Sequence, residues 1–166
     1  MKYHSYFIAL GLLIAGLGET PAIAQQASMN AADVAKIQAD VGAAASTWVK
    51  TFSSRDIPAI VAKWANPAIQ FEPNGIKLLT PADLEANYKK TFVELAKTPF
   101  DHSEDLGHVV CVMSPTMAIS SDHFRRIAKD GSVILEGYGH YLYTKKADGW
   151  RMTAAIPTPL KNMNCN

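Results

Sequence analysis

The sequence predicts an α+β domain, with three helices packed on one face of an antiparallel meander. Two observations predict it. Apolar residues recur at helical spacing in three capped segments between residues 30 and 95, and three turn signals divide residues 100–156 into four strand-like stretches.

The N-terminal segment reads as a processing signal. Lys2 and His4 precede the apolar stretch FIALGLLIAGL at residues 7–17, and Ala22-Ile23-Ala24 offers the small residues of a cleavage site. Cleavage after Ala24 would leave a mature chain of residues 25–166. The apolar stretch falls short of the ~18–20 residues needed to cross a bilayer, and no cysteine follows the cleavage site to carry a lipid. The expectation is an exported protein, periplasmic or secreted, without a membrane anchor. Export makes Cys111 and Cys165 candidates for one disulfide; the alternative is a buried thiol at Cys111 and a frayed tail at Cys165.

In the mature chain, Asn30 is placed to cap a helix carrying Val34, Ile37, Val41, Ala45, Trp48 and Phe52 on one face, ending near Ser53. Asp56 caps a second, short helix with Pro58 in its first turn and Ile57, Ile60, Val61 and Trp64 on one side, stopped by Asn66-Pro67. The stretch AIQFE alternates as a strand, and Pro73-Asn74-Gly75 turns it into the apolar piece IKLL. Thr80-Pro81-Ala82-Asp83 is a capping box that opens a third helix with Leu84, Tyr88, Phe92 and Leu95 on its apolar face. The meander follows, with turns at Ser114-Pro115, Asp130-Gly131 and Ala147-Asp148-Gly149.

The 166 residues are 48% hydrophobic and 19% charged with a net charge of +1, which suits one domain and gives no basic field for nucleic acid. A G-x-S-x-G elbow, a phosphate-cradling glycine loop and an H-E-x-x-H helix are all missing. The density of Asp101, His102, Glu104, Asp105 and His108 invites a metal reading, but their spacing matches no facial ligand set and strand alternation divides them, so neither metal nor cofactor is expected.

The order of elements, with the stretches SSRDIPAIVAKWA, AIQFEPNG, TPADLEANY and GHYLYTKKADGWRM, resembles the nuclear transport factor 2-like superfamily of ketosteroid isomerases, scytalone dehydratases and SnoaL-type cyclases. The resemblance covers roughly residues 30–157. It implies a cone-shaped fold, a strongly curved antiparallel sheet and a helix-capped pocket. Glu72-Pro73-Asn74-Gly75 falls on the strand-end Asp-Pro-x-Gly motif of the ketosteroid isomerases, which places Glu72 on their general base. Their donor tyrosine falls on Trp48 and their protonated aspartate on Gly139. Because an enolate-forming reaction leans on such donors, ordinary ketosteroid isomerisation is not implied.

Pairing across the Asp130-Gly131 turn sets Arg125 opposite Glu136, His123 opposite Tyr138 and Ser121 opposite His140 on one face. If that face looks inward, His123, Tyr138 and His140 are candidate catalytic residues beside Glu72. If it looks outward, it is an exposed or dimer-forming surface. Trp48, Trp64, Phe71, Phe92 and Arg125 are the candidate ligand-binding residues, suited to an apolar molecule with one polar handle. Two functions follow: an exported protein that binds, or isomerises, dehydrates or cyclises, a small apolar molecule; or a non-catalytic module that forms a homodimer or binds another protein.

Overall fold

The computed structural model describes residues 29–156 together with Lys161 and Cys165. The signal-peptide reading of residues 1–24 lies outside the described residues. Helix α1 spans Ala31–Ser54, capped by Asn30, whose Oδ1 accepts the Asp33 N–H at 2.9 Å. Its stripe of Ile37, Val41, Ala45, Trp48 and Val49 is buried, as the helical period requires. Helix α2 covers Ile57–Val61 and is capped by Asp56 with Pro58 in its first turn.

Trp64 departs from the expectation: it opens strand β1, Trp64–Glu72, instead of continuing α2. The Lys63 carbonyl already accepts the Met152 N–H at 3.0 Å, so the chain has joined the sheet before the helical pattern runs out. Asn66-Pro67 accordingly lies within β1 and stops no helix. Strand β2, Gly75–Leu79, pairs antiparallel with β1, Glu72 facing Gly75. Gly75 has φ 143°, a conformation that favours glycine. Helix α3 spans Pro81–Leu95, with both bonds of the Thr80–Asp83 capping box formed.

The meander consists of β3 (Phe100–Ser114), β4 (Met117–Ala128), β5 (Val133–Lys146) and β6 (Gly149–Ala155). Its β4–β5 register has Ser121 opposite His140, His123 opposite Tyr138 and Arg125 opposite Glu136, and a bulge beyond Arg126 absorbs the longer loop. The sheet is not wholly antiparallel. Its order is β2-β1-β6-β5-β4-β3, and β1 runs parallel to β6. No hairpin links those two strands, so nothing local forces them antiparallel.

Helix α1 lies over the meander. Gln38 Nε2 donates to the Val110 carbonyl at 3.3 Å, Ser46 Oγ to Asp105 Oδ2 at 2.5 Å, and the Ser103 N–H to Ser53 Oγ at 2.8 Å. The main core joins Val41, Trp48, Val49 and Ile60 to Val110, Ala118, Tyr143 and Met152. A smaller core sets Leu84 of α3 on Ala68 and Leu79. Cys165 is disulfide-bonded to Cys111 of β3, with Cα atoms 5.1 Å apart.

Candidate functional site

Strand alternation decides which side chains meet the helices. Cross-strand rows on the helix-facing side run Val110–Ser120–Tyr141, His108–Asp122–Gly139 and Asp105–Phe124–Gly137, with Ser103–Arg126 beyond them. The hairpin's other polar set, Ser121, His123 and Arg125 with Glu136, Tyr138 and His140, therefore projects from the opposite side of the sheet. That places the candidate wall of His123 and Arg125 away from α1. Arg125 binds Glu136 at 2.9 Å, His123 contacts Glu136 at 2.9 Å and stacks on Tyr138 at 4.5 Å, and Glu136 is held below the usual carboxylate range by its Arg125 and His123 hydrogen bonds.

Beneath α1 is an inner cavity of 60 Å³ lined by Trp48, Val49, Phe52, Ser103, Asp122, Phe124, Arg126 and Tyr141. Asp122 is its chemical centre. The residue is 2% exposed; Ser120 Oγ donates to Oδ1, while Oδ2 has no hydrogen-bond partner among the described residues. Burial pushes its carboxyl up to about 6, outweighing the Ser120 hydrogen bond and the charges of His108 and His140. Arg126 stacks its guanidinium over Phe52 at 5.6 Å and Phe124 at 5.8 Å, and its Nε is likewise unpartnered. Burial lowers its pKa. Tyr141 closes the row: a Cβ on Gly139 would come within 2.8 Å of its ring, so the glycine lets the phenol lie across the strand.

A larger outer cleft of 510 Å³ opens on the α3 side, lined by Trp64, Ile69, Gln70, Phe71, Leu79, Leu84, Asn87, Tyr88, Thr91, the β5 stretch Tyr138–Tyr141, Ala155 and Ile156. Its origin is topological. Strand β6 ends at Ala155, opposite Tyr141, whereas β1 continues to Glu72 and β5 reaches back to Val133. The two strand edges are left apart, and α3 roofs the gap. Trp64 Nε1 donates to the Tyr88 hydroxyl at 3.0 Å, which fixes both rings, and burial pushes the Tyr88 phenol well up. Trp48 stands between the two spaces, its ring 6.2 Å from Trp64, 6.0 Å from Tyr88 and 6.2 Å from Tyr141.

The predicted residues thus divide. Trp48 lines the inner cavity, and Trp64, Phe71, Tyr138 and His140 border the outer cleft. Phe92 lines neither and packs on Phe52 at 5.2 Å. Glu72 is exposed beside the turn, lines neither space, and accepts only a long 3.5 Å contact from Gln70 Nε2. The resemblance put Glu72 on a general base; here the turn at Pro73-Asn74 follows it directly and this end of β1 is exposed.

A family model described as NTF2-like protein (DUF6841) matches residues 25–160. The chain belongs to this NTF2-like family. No curated protein matches it. Among solved structures it is similar to a cystatin-like-fold domain of unknown function from Nostoc punctiforme, with 15% identity over 82% of this chain and 81% of that one and a TM-score of 0.55. An NTF2-like protein from Novosphingobium aromaticivorans shares 12% identity over 70% and 77%, TM-score 0.56. A protein from Streptomyces avermitilis, provisionally assigned as a dehydratase of the NTF2-like family, shares 11% over 74% and 94%, TM-score 0.54. At these identities the likeness is one of fold.

In this NTF2-like chain the residues that sequence reasoning missed are Ser120, Asp122, Arg126 and Tyr141. A signal for them was present. Gly137 and Gly139 sit on one face of β5, and two glycines at strand alternation mark the side where space or a close approach is kept. Counting across the turn from Gly139 reaches Asp122. The superfamily comparison put a glycine where an aspartate was wanted; the carboxyl enters the same row from the neighbouring strand.

Proposed function

We propose that the protein binds a small, mostly apolar molecule in the outer cleft beneath α3. The observation that supports this most is the cleft itself: 510 Å³ walled by Trp64, Phe71, Leu79, Leu84 and Tyr88, with Gln70, Asn87 and Thr91 as polar handles. That mixture of apolar wall and few polar groups is the make-up of a small-molecule site. The isomerase, dehydratase or cyclase version of this reading needs a base inside the cleft. Glu72 stands exposed outside it, which leaves Tyr138 and His140 as the candidate catalytic residues that border the cleft, and binding is the reading we propose.

The test is a thermal-shift screen of steroids, terpenoids and aromatic ketones. A ligand at about 100 times its Kd should stabilise the fold by about 2.7 kcal/mol, a rise of several degrees in Tm. Leu84→Trp, which fills the cleft, should abolish that rise. A rise that survives Leu84→Trp, or none with any of these classes, would remove the cleft from the reading.

A second reading has its own observation. The strands expose Ile134, Val109 and Met113 at 39%, 39% and 49% on the side of the sheet away from α1, which suits a second copy of the chain in a homodimer. Ile134→Lys should convert a dimer to a monomer in light scattering; a wild-type chain that is monomeric at high concentration ends this reading.

A further inference from the structure

We infer that the inner cavity is a site for a short monocarboxylate, held between Oδ2 of Asp122 and the Nε–H of Arg126. This goes beyond the outer-cleft reading and does not rest on it, since it concerns a different space and different residues.

The first argument is hydrogen-bond accounting. Ser120 Oγ donates to Asp122 Oδ1, so when the carboxyl is neutral its proton belongs on Oδ2. That atom is buried, unpartnered and part of a residue lining the cavity. A buried polar atom without a partner is costly, and here two residues that line one space each carry such an atom. Arg126 Nε can only donate. Two donors on one cavity call for a group with two acceptor oxygens, and a carboxylate on a guanidinium is the strong form of that contact.

Size and walls narrow the ligand further. A cavity of 60 Å³ has room for about four water-sized groups, enough for a carboxylate and one or two carbons. Trp48, Val49, Phe52 and Phe124 provide the apolar surface for those carbons. Arg126 also borders an open surface groove with Lys90, Thr91, Glu94, Leu95 and Thr98. Glu94 in that groove is bonded to Lys97 at 2.8 Å.

Binding must be coupled to a proton. Two carboxylates in contact cannot both stay ionised, so the anionic ligand requires neutral Asp122. The titratable groups that interact with Asp122 are Asp105 and His108 of β3 and His140, Tyr141 and Tyr143 of β5, while Lys50 of α1 acts on Asp105 and Arg126 of β4 acts on Tyr141. His108 itself packs against Gly42 of α1, where a Cβ would come within 2.3 Å of its Nε2. The charges of His108 and His140 favour the ionised carboxyl and oppose its burial. Asp122→Asn separates these influences, because its amide N–H donates into the cavity at every pH.

The experiment is calorimetric titration of the full chain with propionate and with its neutral isostere propionamide at pH 5.5, 6.5 and 7.5. Wild type should bind propionate at least tenfold more tightly than propionamide at pH 5.5, with Kd for propionate weakening about tenfold per pH unit above 6. Asp122→Asn should retain binding with a flat pH profile, and Arg126→Gln should weaken it at least tenfold. If Arg126→Gln fails to fold, Arg126→Lys should show a smaller loss of the same kind. Leu84→Trp should leave propionate binding unchanged, so failure of the outer-cleft reading is seen separately. No propionate binding by wild type at any pH, equal affinity for propionamide, or an Arg126→Gln variant that binds like wild type would overturn the inference.

Discussion

Replacing Trp48 with alanine is expected to lower the free energy of unfolding by about 3–5 kcal/mol, the range for truncating a large buried aromatic. Trp48 is 7% exposed and touches four rings, those of Phe52 at 5.8 Å, Tyr88 at 6.0 Å, Trp64 at 6.2 Å and Tyr141 at 6.2 Å. Its removal leaves a void that these neighbours can close only by tilting, and Trp64 and Tyr88 are tied to each other by the 3.0 Å indole–hydroxyl bond. The cost of a cavity rises when its walls cannot collapse. At about 2–4 °C per kcal/mol for a domain of this size, Tm should fall by about 10 °C. Urea titration followed by far-ultraviolet circular dichroism measures the change. Trp48→Phe, which keeps part of the ring surface, should lose clearly less. A loss under about 1 kcal/mol for the alanine variant would mean that Trp48 fills space without supporting the cluster.

The same residue shows which parts of the molecule could be read from the chain. Trp48 follows Val41 and Ala45 at helical spacing, and its burial against the sheet needs nothing beyond that period. The caps at Asn30, Asp56 and Thr80 and the turns of the meander are equally local, set by residues within four positions of one another. Pairing across a short loop is local too, and the Arg125–Glu136 register was therefore legible. Trp64 was not. Ile57, Ile60, Val61 and Trp64 satisfy a helical period, but the backbone at Lys63 is claimed by Met152, far along the chain. Long-range competition of this kind leaves no trace in a short window, and the parallel pairing of β1 with β6 is hidden for the same reason.

The inward face of β4 was hidden for a different reason. Residues 119–127, ISSDHFRRI, place Ser120, Asp122 and Arg126 on one face and Ser121, His123 and Arg125 on the other, so polarity alternates with nothing. A strand with polar groups on both faces does not announce its side. The choice was made by α1, whose Val41, Trp48 and Val49 meet Val110, Ala118 and Tyr143.

Asp122 on that hidden face should give the protein an inverted pH dependence. Its carboxyl is raised from an ordinary 3.8 to about 6 in the folded chain, chiefly by burial. Between about pH 4 and 6 the folded state therefore holds a proton that the unfolded state has released, and stability falls as pH rises through this window. Two pKa units correspond to about 3 kcal/mol, fully present below pH 4 and lost by about pH 7. Asp83, Asp130 and Glu136 behave oppositely. Hydrogen bonds to Thr80, Ser132 and Arg125 hold them low, so their contribution disappears only as pH falls below about 4. The two effects occupy separate ranges. Urea titrations from pH 4.5 to 7.5 should show wild type losing stability toward neutrality, while Asp122→Asn, which cannot ionise, stays nearly level and overtakes wild type at pH 7.5. Parallel curves for the two proteins would show that the carboxyl is solvated on folding and does not titrate near 6. A group that costs the fold this much at neutral pH is stabilised most by whatever keeps it protonated. Propionate added at pH 6.5 should stabilise both proteins, and Asp122→Asn the more, because only wild type must take up a proton to bind it.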